Sequence, residues 1–448
     1  MNATKNAITK TLDGNAAVVE ALRQINPDVF GFYPITPTSY IGEGFSKLVA
    51  DGKVNTEYVC AESEHAACSI CVGAAAAGGR AVTATASQGL ILMAEVLWNA
   101  SGMRLPMVLI NGNRALSAPL SIHCGHDDLY AVRDAGWGQL VAKNAQEAYD
   151  FTLCAFRIAE AETVRTPVMV AMDCFHTTHT TQKIFLQPDE AAQKFVGETV
   201  QKNPLLDIEN PVSYGNFDKP DFYMEHKRAQ LEGQKKLLEE TKTIFKSFAK
   251  TFGRGSESVV EKIGAENPDL AFVALGSVCG TLERAVKKLG NAAVIRPRIF
   301  RPFPAEELRD KLSGVKKIIV LDRCSPAGAD WAPLGTEVRS LGLEAEIRNG
   351  IYGLGSRETH ADDFVALANN FEKLSTETPH WINLRDGLSA DQENAATVFY
   401  CGKQKIFDPV PDIFLFLTGN SFPENHRQPF FVAEMPSFRT HGCRYFFI

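Results

Sequence analysis

Five groups of residues carry side chains suited to chemistry. Glu62 and Glu64 open a stretch of small residues, HAACSICVGAAAA. Carboxylates there are favoured by the free N–H groups and the dipole of a helix N-terminus. They are either acidic caps or, if one is buried, an acid that meets a ligand. Thr36, Thr38 and Ser39 lie in YPITPTS, where two prolines remove two backbone donors and stiffen the loop. Their hydroxyls suit capping of the helix that follows, but a rigid loop at a strand end is also where open α/β sheets bind ligands. Arg114 follows the apolar run MVLINGN. It is either a surface charge or a two-pronged donor for a carboxylate. Cys68 and Cys71 form a single C-x-x-C with no second pair or histidine at metal-site spacing, which favours plain packing. His126, Asp127 and Asp128 are of ligand types, but sequence neighbours seldom converge on one ion. No metal site is expected in this chain.

The elements that must position these groups read as α/β units. An amphipathic helix within residues 13–31 leads to the strand around Phe30–Tyr33 and its proline-rich turn. The small-residue stretch, from about His65 to Ala77, predicts a helix lying tight against another backbone. Continuous apolar strands such as MVLIN, joined by crossover helices, imply a parallel sheet covered on both faces. From about 182 to 255 the composition shifts to prolines and then a long charged helix, a connector ending near Gly253. The expected domains are therefore 1–255, a second α/β domain over 256–375, and a tail over 376–448 in which IFLFLTGN could be a strand. In the second domain Gly276–Gly280 is a turn able to cradle a phosphate, although such turns are common. Arg296, Arg298 and Arg301 make a basic strip facing either an acidic partner or solvent.

With 448 residues, a net charge of −7 and no concentrated basic stretch, nucleic acid is not an expected partner. No apolar run reaches the length of a membrane span, and the N-terminus lacks a secretory core, so a cytoplasmic protein is expected. The ten cysteines are scattered, without the run that holds a ferredoxin-type cluster. The lack of G-x-G-x-x-G in the first βα unit argues against a nucleotide-dependent dehydrogenase.

Several of these stretches together resemble one family. YPITPTS, AESEHAACSICVGAAAAGGRAVTATASQGL, INGNRALSAPLSIHCGHDD and RDAGWGQLVAKNAQEAYD are similar to the α subunit of multi-subunit 2-oxoacid:ferredoxin oxidoreductases, nearest the pyruvate synthase branch. RPRIFRPFPAEELRDKL, VLDRCSPAGA and NGIYGLGSRE extend the likeness through about residue 370, and the tail departs from it.

The resemblance implies a thiamine-diphosphate pyrimidine-binding domain followed by an α/β domain like the transketolase C-terminal domain. It implies a division of labour: a β subunit holds the diphosphate and Mg2+, γ and δ chains carry [4Fe-4S] clusters, and ferredoxin takes the electrons. No Gly-Asp-Gly occurs here, in keeping with that division. By resemblance, Glu64 faces N1′ of the cofactor's pyrimidine, in a pocket expected to raise its pKa. A carboxyl there favours the imino form that takes the proton from C2. Thr36 sits beside the reacting centre, and Arg114 holds the substrate carboxylate. The implied reaction is reversible conversion of pyruvate and coenzyme A to acetyl-CoA and CO2. The alternatives are 2-oxoisovalerate or 2-oxoglutarate as substrate, or an idle scaffold in which Glu64 only caps its helix.

Overall fold

The computed structural model describes residues 7–199, 203–255 and 257–384; the expected strand at 413–420 lies outside the described residues. Strand β1 (Ile8–Leu12) leads into α1 (Gly14–Ile25), capped by the Asp13 carboxylate, which accepts from Ala16 N at 2.8 Å. Strict alternation follows: β2 (Val29–Phe32), α2 (Ser39–Ala50), β3 (Glu57–Cys60), α3 (Glu64–Ala77) and β4 (Ala81–Thr85). Then come α4 (Ser87–Leu92), α5 (Ala94–Gly102), β5 (Met107–Asn113), α6 (Asp127–Ala131), β6 (Gly138–Ala142), α7 (Ala145–Glu160) and β7 (Val168–Asp173). β8 (Gln182–Leu186) returns to pair antiparallel with β1, before α8 (Asp189–Val196) and α9 (Pro220–Phe252). The second half comprises β9 (Val260–Gly264), β10 (Leu270–Ala274), α10 (Val278–Leu289), β11 (Ala292–Pro297) and β12 (Ile299–Arg301). It continues with α11 (Ala305–Leu312), β13 (Lys317–Asp322), α12 (Pro333–Arg339), β14 (Glu346–Ile351), α13 (Ala361–Asn369) and β15 (His380–Trp381).

Two sheets form the body. The first has the order β12-β6-β7-β5-β4-β2-β3 and the second β15-β14-β13-β10-β11-β9. All pairings are parallel except β12 with β6 and β9 with β11. β4, β5, β6 and β7 are buried along their whole length, as parallel strands covered on both faces must be. Past α13, β15 pairs parallel with β14 at the edge of the second sheet.

The small residues of α3 do what their size allows. A Cβ on Gly31 of β2 would come within 2.5 Å of the Ala67 carbonyl oxygen, so helix and strand backbones touch. Cys68 and Cys71 are buried on that side, and burial pushes the Cys71 thiol up to about 12. Their surroundings are those of packing residues. The opposite side of α3, with Ser69 and Gly73, is exposed.

The α9 helix runs 33 residues. Its first turns are exposed, whereas Gly233, Leu237, Thr241, Ile244, Phe245, Phe248 and Phe252 are buried at helical spacing. Phe245 stacks on Phe151 of α7 with ring centroids 5.2 Å apart. Gly253 ends the helix in the left-handed region, at φ 64°.

The basic strip serves neither an acidic partner nor solvent; it joins the two sheets. Arg296 is fully buried and grips Glu147 of α7 through two bonds of 2.9 and 2.6 Å while its Nε reaches Glu261 at 2.9 Å. Arg298 reaches Glu261 at 3.0 Å and Lys143 reaches it at 3.2 Å; Arg301 pairs with Glu337. Against the cost of burial, the charges of Arg296, Arg298 and Lys143 hold the Glu261 carboxyl down at about 2. The unfolded chain therefore takes up this proton first as pH falls. The stabilisation is complete above about 4.5 and is lost as pH falls from there through 2. Thermal melts across that range should show Glu261→Gln losing stability less steeply with acid than the wild-type chain. Equal slopes would refute this role.

Candidate active site

In the sheet order β5-β4-β2-β3 the strands run parallel, so their carboxyl ends meet along one edge. Open α/β sheets bind ligands outside that edge. Each candidate group issues from it: Thr36 after β2, Glu64 after β3, and Arg114 after β5.

Glu64 is the first residue of α3, but it does not cap the helix. Ser63, in extended backbone, accepts from Ala66 N at 3.2 Å and does that work. Glu62 is exposed. Glu64 is only 7% exposed, yet its carboxylate makes no hydrogen bond or ion pair among the described residues. The first turn of α4 presses on it: a Cβ at Gly89 would lie 2.6 Å from Glu64 Oε1, 2.8 Å from its Cγ and 2.5 Å from Thr85 Oγ1. Only glycine leaves the carboxyl where it is. Gly89→Ala should therefore displace Glu64 and lower turnover at least about tenfold. Unchanged turnover in a folded variant would show that the contact does not hold the acid.

Thr36 and Arg114 are in direct contact. Arg114 Nη1 donates to the Thr36 carbonyl at 3.1 Å, and its Nε donates to Ser121 O at 3.2 Å. Arg114 is 8% exposed, and burial lowers the pKa of its guanidinium. Its Nη2 makes no hydrogen bond among the described residues, so a donor remains for a carboxylate. The Thr36 hydroxyl is likewise unpaired among the described residues, on a half-buried residue before a cis Thr36–Pro37 bond. Thr38 does not cap α2 either; its hydroxyl donates back to Ile35 O at 3.0 Å. Glu64 shares the edge with this pair but bonds to neither.

Sequence reasoning passed over Asp128. It is fully buried, and its Oδ2 accepts from Ser87 N at 2.8 Å, Arg114 N at 3.1 Å and Asn111 Nδ2 at 3.3 Å. Oδ1 accepts from Leu129 N at 2.7 Å. Burial pushes this carboxyl up to about 7 despite those donors. The only early signal was its place in a run of ligand-type residues.

Beside it, Cys124, His126 and Asp173 are buried with their ligand atoms within 4.8 Å of one another. A guanidinium already supplies the positive charge there, since Arg323 Nη1 lies 3.0 Å from Cys124 Sγ and 3.2 Å from Asp173 Oδ2. His126 Nε2 is 2.8 Å from Asp173 Oδ1. Burial, helped by Asp173, pushes the Cys124 thiol up to about 12, opposite to what a metal thiolate needs. The group is an ion-paired junction between the sheets. Asp173 also takes Ser277 N at 2.9 Å and Ser277 Oγ at 2.6 Å. The turn suited to a phosphate is thus filled by this chain's own carboxylate.

Exposed apolar side chains lie on the segments that follow these strands: Tyr40 on α2, Ile91 and Leu92 on α4, Trp98 on α5, and Leu120 and Ile122 after Arg114. Two surface cavities of about 320 and 360 Å³ lie elsewhere and include none of Thr36, Glu64 and Arg114. No described helix is long and apolar enough to cross a membrane.

This geometry fits a ligand that donates a hydrogen bond to Glu64 and presents an acceptor to Arg114. A largely buried carboxyl with no partner among the described residues is an acceptor open to a ligand's donor.

Comparison with known proteins bears on which ligand. The thiamine-diphosphate-binding region of the pyruvate flavodoxin/ferredoxin oxidoreductases matches residues 20–246, and core domain II of pyruvate:ferredoxin oxidoreductase matches residues 268–364. Pyruvate synthase subunit PorA of Thermotoga maritima is 46% identical over 353 residues, 77% of this chain and 90% of that protein. PorA of Methanocaldococcus jannaschii is 39% identical, covering 84% and 98%. Ketoisovalerate oxidoreductase subunit VorA of Pyrococcus abyssi is 36% identical, covering 82% and 94%. The fold matches a 2-oxoglutarate:ferredoxin oxidoreductase from Magnetococcus marinus, solved with 2-oxoglutarate, coenzyme A and succinyl-CoA bound. The TM-score is 0.63 at 18% identity, over 82% of this chain and 65% of that one. The two α/β domains are a thiamine-diphosphate pyrimidine-binding domain and a core domain II, and the chain belongs to the 2-oxoacid:ferredoxin oxidoreductase family as an α subunit.

Proposed function

We propose that this chain supplies the pyrimidine side of a thiamine-diphosphate site acting on pyruvate. In the forward direction the bond between the carboxylate and keto carbons breaks and CO2 leaves. The two-carbon unit joins coenzyme A as a thioester, the thiol proton is released, and two electrons pass to two oxidised ferredoxins. The same steps reverse under strong reductant. The observation that carries this reading is the largely buried Glu64 carboxyl, without a partner among the described residues, on the edge that also presents Arg114 with an Nη2 unpaired among the described residues.

Bound thiamine diphosphate would supply the carbon nucleophile and the electron sink. Glu64 accepts a hydrogen bond from the pyrimidine ring and shares its proton. Arg114 binds the carboxylate of the 2-oxoacid through Nη2, with its other donors fixed by Thr36 and Ser121. The Thr36 hydroxyl, unpaired among the described residues, bonds the substrate oxygen.

A β subunit would bring the diphosphate and Mg2+ site against exposed apolar side chains such as Tyr40, Leu92 and Leu120. The [4Fe-4S] clusters belong in this reading to γ and δ subunits, in a cytoplasmic complex with ferredoxin as acceptor. The domain limits 1–255, 256–375 and 376–448 are part of the same proposal. Capping by Ser63 weakens the scaffold alternative, because Glu64 is left without a structural task.

Turnover of pyruvate, 2-oxoisovalerate and 2-oxoglutarate by the purified complex tests the substrate. Pyruvate should give the highest kcat/KM; preference for the branched or dicarboxylic acid would move the chain to another branch of the family.

A further inference from the structure

We infer that Asp128 is a positioning residue that holds the substrate-binding arginine in place. This rests on the reading of Arg114 as the group that takes the 2-oxoacid carboxylate.

The Asp128 Oδ2 atom bonds at once to the backbone N–H of Ser87, just past β4, and to that of Arg114, just past β5. These neighbouring strands carry the two loops that matter, one bearing Gly89 against Glu64 and the other bearing Arg114. Ser87 is held at φ 51°, in the left-handed region, and is fully buried. A serine stays there only when its surroundings fix it, and its N–H is fixed by Asp128. The Asn111 amide completes the clamp from inside β5.

The residues flanking Asp128 are in turn held from two directions. Gln139 Nε2 of β6 donates to Leu129 O at 3.1 Å, and His126 N donates to Arg323 O at 2.7 Å. Arg323 follows β13 of the second sheet and bonds Asp173 at the end of β7. A chain of short contacts thus runs from the second sheet through residues 126–128 to the arginine. The second domain positions a group in the first.

The test is a mutant cycle in the assembled complex, reading KM for the 2-oxoacid, with KM for coenzyme A as the control. Alanine at Asp128 leaves buried N–H groups without an acceptor, and KM for the 2-oxoacid should rise about thirtyfold. Asp128→Asn keeps one oxygen for Ser87 and Arg114 and should raise it only about fivefold. KM for coenzyme A should stay unchanged in both. In an Arg114→Gln background each Asp128 substitution should add less than about twofold, because the side chain it positions is gone.

Should Asp128→Ala fail to assemble, the Asp128→Asn cycle decides alone. An unmoved KM in the Asp128 variants beside a raised KM in Arg114→Gln overturns the positioning role. Equal effects with and without Arg114 overturn it as well. An unmoved KM in Arg114→Gln sinks the carboxylate reading itself, and this inference with it.

Discussion

Glu64→Ala in the assembled complex should lower turnover about a thousandfold while leaving assembly intact. The magnitude follows from the role: a positioned acid–base group contributes on the order of a hundred- to ten-thousandfold. The survival of the fold follows from the structure. Ser63 caps α3, and the Glu64 carboxyl has no partner among the described residues whose loss would unsettle the core. A structural glutamate would behave in the opposite way, with a lower melting temperature and little change in kcat. Glu64→Gln sharpens the comparison, since the amide keeps the shape but cannot carry the proton. It should be nearly as slow as alanine.

Arg114→Gln is the second large effect. Loss of a charge-assisted, directional pair with the substrate carboxylate should raise KM for the 2-oxoacid about a hundredfold. Arg114→Lys should lie between, because an ammonium keeps the charge but cannot bond Thr36 O and Ser121 O while presenting a third donor in the same plane. Steady-state kinetics in saturating coenzyme A would show it. A KM within twofold of wild type for the glutamine variant would mean that this guanidinium only ties the Thr36 loop to the strand.

What could be read from the residues was what depends on near neighbours and on size. The alternation of strands and helices, the tight seat of α3 on Gly31, and the rigid proline loop all follow from local composition. The contact between Thr36 and Arg114 could not be read from pattern, because 78 positions separate them.

What escaped was set by distant partners. Asp128 meets Ser87 across 41 positions, and Asp173 meets Ser277 across 104. Neither leaves a period in the sequence. Which residue caps each helix stayed open for a subtler reason: several hydroxyls and carboxylates compete at each helix start. Thr38 satisfies Ile35 O instead of its helix, and Ser63 takes the place that its two glutamate neighbours seemed made for. The arginine strip was legible as charge but not as burial, since β12 of the second half pairs with β6 of the first sheet. That pairing draws Arg296 and Arg298 into the junction beside Glu147 and Glu261. Only the folded topology shows it.

The central claim is that Glu64 manages a proton for a bound cofactor. Its most direct test is the rate at which the C2 proton of thiamine diphosphate exchanges with deuterated solvent in the assembled complex. The exchange is followed by NMR after acid quench, without any 2-oxoacid present. Glu64→Gln should retain the cofactor and slow this exchange at least about a hundredfold. Wild-type exchange in a glutamine complex that holds its cofactor would contradict the account.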